Sequence, residues 1–444
     1  MLRFAPSPTG FLHMGNIRVA LINYLYAKKN NLNFFLRIDD TDQERSKTEF
    51  IESIIEDLEW LGIHYKKVIK QSERISKYKE IFDFLKSKNF IYPCFESADE
   101  LSLKRKILLK QGKPPIYDRT SLRLTKSEIQ SLIQSGKRPH WRLKLDDETI
   151  EWSDMIHGKI VFSNLSVSDP VVFRSDEMPL FTITSVVDDA DTEVSHIFRG
   201  DDHITNTAAQ IKLFKLIDAK IPEFGHFPLI KSISGQGLSK RSDDFSVRQF
   251  RKQKVSQLVL INYLQKIGTN LSFEKIDDMK TLYKNFNINN FSKNSVFFDP
   301  NDIERINSKY LKNLDIETVK ETFNLNFENK FWLIVRSNIN SIDEAKEWFD
   351  LVKNDFLIEN KIILKKPLKS TMLKFIPEKV DKDFWSVWTN KILENFEIKP
   401  KVLYITLRQI LTGKKYGPSM NDLLTLIRKD EIIKRVESNC EEED

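Results

Sequence analysis

The chain has 444 residues, which is room for roughly three domains, and its 40% apolar and 30% charged residues are typical of a soluble globular protein. No apolar run approaches the roughly 20 residues of a membrane span, and Pro6, Pro8 and Gly10 break any signal-peptide helix, so we expect a cytoplasmic protein. The net charge of +6 permits a nucleic-acid partner without requiring one.

The N-terminal segment predicts an α/β unit. Two prolines and a glycine make Pro6–Gly10 a loop. A helix over Asn16–Ala27 and a buried strand over Asn33–Ile38 follow. Apolar residues then recur at helical spacing over Ile51–Leu61, and Gly62 stands where a C-terminal cap belongs. Strands that alternate with helices predict a parallel sheet.

The segment from about 71 to 178 has a different pattern. Helices rich in Lys and Glu are predicted around Lys77–Lys88 and Ala98–Lys110. Strand-like runs follow at Trp141–Leu145 and Lys159–Phe162. These elements predict an α+β insertion in the sheet domain.

The α/β pattern returns at Leu180–Asp189 and Val194–Arg199, and Thr205–Ile217 is predicted to be a helix with Thr205 as its N-cap. Beyond Lys254 the sequence predicts an almost wholly helical region. The acidic tail Glu441–Asp444 is expected to fray.

A loop with phosphate-binding character spans Ala5–Asn16. It combines glycines, at which a nucleotide can approach the backbone, with the imidazole of His13 and the N-terminus of a helix. That layout fits a phosphate site at the carboxyl edge of a sheet. Taken alone, however, a His-x-Gly turn is equally consistent with a purely structural role.

A second candidate is the run Gly237–Arg241. A Lys-Arg pair on a glycine-flanked loop is usually an ordinary surface feature, but a mobile ammonium can also stabilise the charge that builds on a transferring phosphate. The Gly-x-x-x-x-Gly-Lys-Ser/Thr pattern of P-loop enzymes is absent from the sequence.

The third candidate combines Ser185–Asp189 with His196–Asp202. Acidic residues and Arg199 at strand ends could bind a zwitterion, and capping and turn formation would explain the same residues equally well. The only cysteines are Cys94 and Cys440, which excludes a disulfide framework and a cysteine-rich zinc site. We therefore expect no zinc, and because the seven histidines show no ligand-like spacing, we assign no residue to a metal site.

Together and in order, these motifs resemble the class I aminoacyl-tRNA synthetases, and in particular the bacterial glutamate–tRNA ligases. Ala5–Gly15 is similar to the adenylate-binding "HIGH" signature of the family, and Lys240 stands at the position of its "KMSKS" lysine. The runs Arg37–Asp42, Val186–Asp189 and Ile197–His203 also match. The resemblance covers essentially the whole chain.

The resemblance implies a role for several individual residues. The positions at which the family contacts glutamate are occupied by Arg3, Ser7, Asp39, Phe181, Ser185 and Arg199. His13, Gly15 and Lys240 stand at ATP-contacting positions, and Asp202 stands near the edge of the same pocket. Arginine can bind a carboxylate bidentately and a carboxylate can bind the ammonium, but the sequence leaves open which arginine binds which carboxylate.

The chain departs from the pattern of many relatives at several positions. Phe181 replaces a tyrosine, Ser185 an asparagine, Asp39 a glutamate and Gly237 the first lysine of the mobile loop. The cysteines with which some relatives bind zinc are missing. These differences affect the polar contacts expected for the substrate.

The fold that the resemblance implies is a Rossmann-type catalytic domain over residues 1–246 with an acceptor-end-binding insertion at about 71–178. A helical stem-contact domain over 247–310 and an all-α anticodon-binding domain over 311–444 follow. The implied reaction activates glutamate with ATP and Mg²⁺ and transfers it to the terminal ribose of tRNA(Glu). Charging of tRNA(Gln) as well stays open, and a monomer is expected.

Three other functions are compatible with parts of this pattern. A paralogue that glutamylates a modified tRNA base lacks the anticodon-binding part, whereas this chain has a long helical C-terminus. A small-molecule nucleotidyltransferase would not use the segment after Arg241. A non-catalytic tRNA-binding paralogue would not need His13, Gly15 and Lys240.

Overall fold

The computed structural model describes residues 1–146, 149–163, 167–233, 235, 246–273 and 275–443. The chain forms two compact units. The first contains Met1–Arg251 and Leu260–Pro300, and the second contains Lys252–Val259 and Asn301–Asp444. None of the helices in the described ranges is both long and apolar enough to cross a membrane.

The first unit begins with alternating strands and helices. Their bounds are β1 Leu2–Phe4, α1 Met14–Lys29, β2 Phe34–Ile38, α2 Thr48–Trp60 and β3 Val68–Lys70. The three strands form a parallel sheet in the order β1-β2-β3, and the two helices make the crossover connections that parallel strands need. Every residue of β2 is buried, as expected for a strand inside an α/β layer.

The middle of the first unit mixes helices with antiparallel strands. Its elements are α3 Ile75–Ser87, β4 Ile91–Cys94, α4 Ala98–Lys110, α5 Lys126–Gln134, β5 His140–Leu143, β6 Thr149–Asp154, β7 Gly158–Ser163 and β8 Val171–Phe173. A small antiparallel sheet has the order β4-β5-β8. The β6–β7 hairpin instead belongs to a sheet with later strands.

The next part of the first unit again forms parallel strand pairs. Its elements are α6 Phe181–Asp191, β9 His196–Gly200, α7 Ile204–Leu216, β10 Glu223–Phe227 and β11 Ile230–Ser232. The second sheet has the order β7-β6-β10-β9, in which β10 is parallel to both β6 and β9. A backbone hydrogen bond of 2.9 Å from Ser195 N to Met1 O sets the start of β9 beside β1.

The chain continues with α8 Val247–Lys252, α9 Gln257–Lys266, α10 Met279–Asn285, β12 Val296–Phe298 and α11 Pro300–Asn313. The remaining elements are α12 Ile316–Phe323, α13 Asn329–Val335, α14 Ile342–Lys353, β13 Ile362–Leu364, α15 Leu368–Lys374, α16 Phe384–Asn395, α17 Pro400–Thr412, α18 Met420–Leu423, α19 Lys429–Asn439 and β14 Cys440–Glu442. β11 pairs with β12, and β13 with β14, in parallel.

The second unit buries one helical face of each long helix in a common apolar core. Trp332 and Trp388 are the largest fully buried side chains of the molecule. Both indole N–H groups find a backbone carbonyl, since Trp332 donates to Leu314 O at 2.8 Å and Trp388 donates to Met372 O at 2.9 Å. Because each indole N–H keeps a hydrogen bond, burying these two side chains leaves no unsatisfied polar group on either of them.

The predicted fold class is confirmed, because a parallel-sheet N-terminal part precedes a helical C-terminal part. Three local predictions are wrong. Ser185–Asp189 lies within helix α6 rather than at a strand end, and Thr205 lies inside α7, which begins at Ile204. The tail is not frayed at Glu441, because β14 pairs with β13.

Candidate active site

The loop before α1 presents a helix N-terminus to a cavity. His13 is the N-cap, and its Nδ1 accepts a hydrogen bond of 3.1 Å from Gly15 N. The Asn16 side chain returns the bond by accepting from His13 N at 3.4 Å, which completes a capping box. The positive end of the helix dipole therefore faces the cavity with a glycine in its first turn.

The His13 loop is fastened to the start of α8. His13 forms an antiparallel bridge with Ser246, and Val247 N donates to Leu12 O at 3.3 Å. The guanidinium of Arg248 lies 5.2 Å from the ring centroid of Phe11. The start of α8, which follows the Gly237–Arg241 run in the sequence, is thus held beside the His13 loop. Lys240, Gly237 and Arg241 lie outside the described residues.

A cavity of about 520 Å³ opens at the carboxyl ends of β1 and β9. That edge of a parallel sheet is where α/β proteins bind ligands. Six of the predicted site residues line the cavity together with Arg18, Asp202 and His203: Arg3, Ser7, His13, Gly15, Phe181 and Arg199.

Arg3 is neutralised by a carboxylate. Its Nε and Nη2 donate to the two carboxylate oxygens of Asp189 at 2.8 and 3.0 Å. Arg37 shares the same carboxylate at 2.7 Å and also binds Asp39 through Nε and Nη2 at 2.7 and 3.2 Å. The chain Asp39–Arg37–Asp189–Arg3 is a buried row of alternating charges.

Asp39 and Ser185 lie behind the cavity wall rather than among the residues that line it. Burial raises the pKa of the Asp39 carboxyl to about 6, although Arg37 opposes the shift. Ser185 is fully buried on α6, where its hydroxyl donates to Phe181 O at 2.7 Å and accepts from Gln210 Nε2 at 2.5 Å.

Arg199 reaches the cavity from β9 and is held by neutral groups. Its Nε donates to His226 Nε2 at 3.3 Å, and its Nη2 donates to Thr207 Oγ1 and Gln210 Oε1, both at 2.6 Å. Its Nη1 is buried and has no hydrogen-bond partner among the described residues. Burial and the positive charge of Arg3 lower the pKa of Arg199 to about 9, which still leaves it a cation at neutral pH.

Asp188 is a second buried carboxylate to which the sequence assigned no individual role. It accepts hydrogen bonds from Gln71 at 2.7 Å, Arg74 at 2.7 Å and the Tyr78 hydroxyl at 2.9 Å, and Arg37 lies 3.8 Å away. Asp188 therefore ties α6 to the turn before α3. These partners stand more than 100 positions from Asp188, so no local spacing could have indicated them.

Comparison with known proteins identifies this arrangement. Residues 1–305 match the class I tRNA synthetases (E and Q), catalytic domain, which are the enzymes for glutamate and glutamine. Residues 334–440 match an anticodon binding domain. The chain belongs to the class I tRNA synthetases. The family prediction from the sequence is therefore confirmed, and the chain is an aminoacyl-tRNA ligase.

Several curated relatives match this synthetase along its whole length. It is 41% identical to "Glutamate--tRNA ligase 1" of Rickettsia prowazekii, and the match covers 98% of each chain. It is 39% identical to "Glutamate--tRNA ligase 2" of Bartonella bacilliformis, over 98% of this chain and 99% of the relative. A solved glutamate-tRNA synthetase from Elizabethkingia anophelis shares the fold, with a TM-score of 0.78, 23% identity and 98% coverage of both chains.

Class I synthetases use ATP and tRNA as substrates, and the cavity of this one offers a helix N-terminus for phosphates. The described residues contain no group of three or more His, Cys, Asp or Glu side chains that could hold a metal ion. The site residues that sequence reasoning missed are those behind Arg199, namely Thr207, Gln210, His226 and Asp154. They carry no motif, and only the folded chain brings Thr207 and Gln210 on α7 together with Asp154 on β6 and His226 on β10.

Proposed function

We propose that the chain is a glutamate–tRNA ligase, which joins glutamate to tRNA(Glu) and uses Mg²⁺-bound ATP as its nucleotide substrate. The relatives that match along the whole chain carry that name. The observation that carries the amino-acid assignment is the buried, partner-free Nη1 of Arg199 in the cavity. The carboxylates of Asp189 and Asp202 attract this cation without accepting a hydrogen bond from Nη1, and a substrate carboxylate would bind that nitrogen directly.

Glutamate brings two carboxylates and one ammonium to this cavity. Arg199 can donate Nη1 to one carboxylate without breaking its existing hydrogen bonds. Arg3 borders the same cavity, and Ser7 and Phe181 complete the proposed amino-acid pocket. Asp39 does not line the cavity, and its buried carboxylate favours the ammonium through its negative charge rather than through a hydrogen bond.

The ATP phosphates are proposed to lie at the N-terminus of α1, beside His13 and Gly15. The glutamate α-carboxylate attacks the α-phosphate, which gives glutamyl-adenylate and releases pyrophosphate. The terminal ribose hydroxyl of the tRNA then attacks the adenylate carbonyl and releases AMP. Lys240 is assigned by the sequence resemblance to the charge that develops on the phosphates. Positioning and charge stabilisation carry both steps, and no protein nucleophile is required.

The tRNA contacts are proposed from the domain order. The segment at about 71–178 would bind the acceptor end, residues 247–310 the stem and residues 311–444 the anticodon arm. The last region includes an anticodon binding domain match at 334–440. Within it Tyr416 is 86% exposed beside Lys414 and Lys415, which suits stacking and phosphate contact with an RNA loop. We propose that the enzyme acts as a cytoplasmic monomer.

Charging of purified tRNA with radiolabelled glutamate tests the proposed function. The purified full chain should form labelled glutamyl-tRNA(Glu) only when ATP and Mg²⁺ are both present. A parallel reaction with tRNA(Gln) decides whether this second tRNA is also a substrate. Failure to charge tRNA(Glu), together with label transfer to an internal tRNA base, would favour the tRNA-modifying paralogue instead.

A further inference from the structure

We propose that His226 is a positioning residue for glutamate binding, because Asp154 fixes its tautomer so that Nε2 can accept from Arg199. The inference rests on the proposed function, in which Arg199 binds a glutamate carboxylate. His226 does not line the cavity itself, so it acts through the arginine.

The dyad is built on neighbouring strands. His226 on β10 stands in register with Arg199 on β9, and Asp154 ends the parallel neighbour β6 on the other side. His226 is fully buried and Asp154 is 3% exposed. The imidazole therefore lies between the carboxylate and the guanidinium with no access to solvent.

The hydrogen bonds of Asp154 decide where the imidazole proton lies. Asp154 Oδ1 accepts from the backbone N–H groups of Ile156 and His157, both at 3.0 Å. Asp154 Oδ2 lies 2.6 Å from His226 Nδ1. Because an ionised carboxylate only accepts, Nδ1 must carry the proton.

This assignment leaves a lone pair on Nε2 of the neutral ring. Arg199 Nε, which can only donate, lies 3.3 Å from that atom, and Thr207 Oγ1 lies 2.8 Å from it. Burial lowers the pKa of His226, and the nearby guanidinium acts in the same direction, so the ring stays neutral. A proton on Nε2 would instead oppose the N–H of Arg199 Nε, which can only donate.

The consequence is a guanidinium that is oriented but not neutralised. Nε and Nη2 are fixed by neutral acceptors, and the buried Nη1 has no hydrogen-bond partner among the described residues. A carboxylate in place of His226 would have oriented Arg199 equally well but would have cancelled the charge that binds substrate. The neutral tautomer is therefore the feature that serves binding.

A matched pair of variants separates this role from a purely structural one. His226→Asn keeps a donor near Nδ1 for Asp154 but has no atom at the Nε2 position. His226→Gln extends its amide oxygen toward the Nε2 position and gives up the bond to Asp154. We expect His226→Asn to raise the KM for glutamate about 10- to 100-fold with little change in the melting temperature. We expect His226→Gln to lower the melting temperature but to keep the glutamate KM within a few-fold of the parent.

A third variant, Asp154→Asn, tests the tautomer alone. Its amide oxygen can still accept from the two backbone N–H groups, while its amide nitrogen donates to Nδ1 and moves the imidazole proton to Nε2. The glutamate KM should rise about tenfold or more while the ATP KM and the melting temperature change little. These assays use the full chain with saturating tRNA, with ATP saturating for the glutamate KM and glutamate saturating for the ATP KM.

Failure of this inference can be told apart from failure of the proposed function. If the parent enzyme does not charge tRNA with glutamate, the proposed function itself is wrong. If the parent charges it and Arg199→Ala raises the glutamate KM, but His226→Asn and Asp154→Asn leave that KM unchanged, the positioning role is overturned. A glutamate KM that rises for His226→Gln and not for His226→Asn would assign His226 a structural role only.

Discussion

Arg3 and Arg199 line the same cavity and are almost equally buried, at 5% and 7% exposure, but their surroundings differ. Nε and Nη2 of Arg3 are bound to Asp189, which itself also binds Arg37. Arg199 is surrounded by a hydroxyl, an amide and an imidazole, and one of its nitrogens has no partner among the described residues.

The difference indicates two separate uses of a buried guanidinium. Paired with Asp189, Arg3 belongs to a charge row that holds β1, β2 and α6 together. The charge of Arg199 stays available for a ligand, because the neutral groups that accept its hydrogen bonds orient the guanidinium without forming an ion pair with it. Substitutions at the first group should therefore affect stability most, and substitutions at the second should affect substrate binding most.

The largest expected effect is the loss of stability when Asp189, the carboxylate that pairs with Arg3, is replaced. Asp189→Asn should lower the free energy of unfolding by about 3–5 kcal/mol, because it leaves Arg3 and Arg37 buried with one carboxylate fewer. Chemical denaturation measures the change. The matched control is Asp191→Asn on the same helix, whose partly exposed ion pairs with Arg74 and Lys77 should be worth about 1 kcal/mol or less. Equal losses in the two variants would show that the charge row is not a structural element.

The next largest effect is expected at Arg199. Arg199→Ala should raise the KM for glutamate about 10- to 150-fold, which corresponds to the roughly 1.5–3 kcal/mol of a charged hydrogen bond. The KM for ATP and the melting temperature should change little, because Thr207, Gln210 and His226 can bond to one another or to Ser185. Steady-state charging kinetics measure both constants. An unchanged glutamate KM would remove Arg199 from the amino-acid pocket.

The pH dependence of glutamate binding tests the role of Asp39, the first residue of the charge row Asp39–Arg37–Asp189–Arg3. Asp39, whose pKa burial raises to about 6, is ionised above that pH and attracts the substrate ammonium. As the pH falls through about 6, protonation removes this attraction, so the glutamate KM should rise and approach a tenfold increase per pH unit. Free glutamate does not titrate in this range, since its side-chain carboxyl ionises near 4.3. Asp39→Asn should start from a higher KM and lose the step, and identical pH profiles would contradict the assignment.

The smallest effect is expected at the phosphate end of the cavity. A Cβ at Gly15 would lie 3.0 Å from Cε1 and Nδ1 of His13, so Gly15→Ala must displace the imidazole by a few tenths of an ångström. We expect the ATP KM to rise by less than about tenfold while the glutamate KM stays at the parent value. The same charging assay reports both constants. A selective change in the glutamate KM would show that the two halves of the cavity are not separate.

Local sequence signals predicted the elements around the site well. The helices α1 and α2 and the strand β2 agree with the predicted elements to within a few residues, and Gly62 follows α2 with a φ of +69°. The prediction failed at Ser185–Asp189, whose acidic residues were expected at a strand end and lie within α6. There, Ile183, Val186 and Val187 are buried in the apolar core, while Asp188 and Asp189 meet buried arginines.

The candidate site divides in the same way. Residues inside motifs, such as His13 and Arg199, could be assigned from the resemblance. Their partners could not, because Arg3 and Asp189 are separated by 186 positions and Asp154 and His226 by 72. Contacts across such distances depend on strand order and register, which no periodicity in the sequence specifies.

The crystal structure of the full chain with bound glutamate tests the central claim most directly. We expect a carboxylate oxygen about 2.7–2.9 Å from Arg199 Nη1, with the bonds from Nε to His226 and from Nη2 to Gln210 retained. Glutamate bound with both carboxylates out of reach of Arg199, and with Nη1 still without a partner, would contradict it.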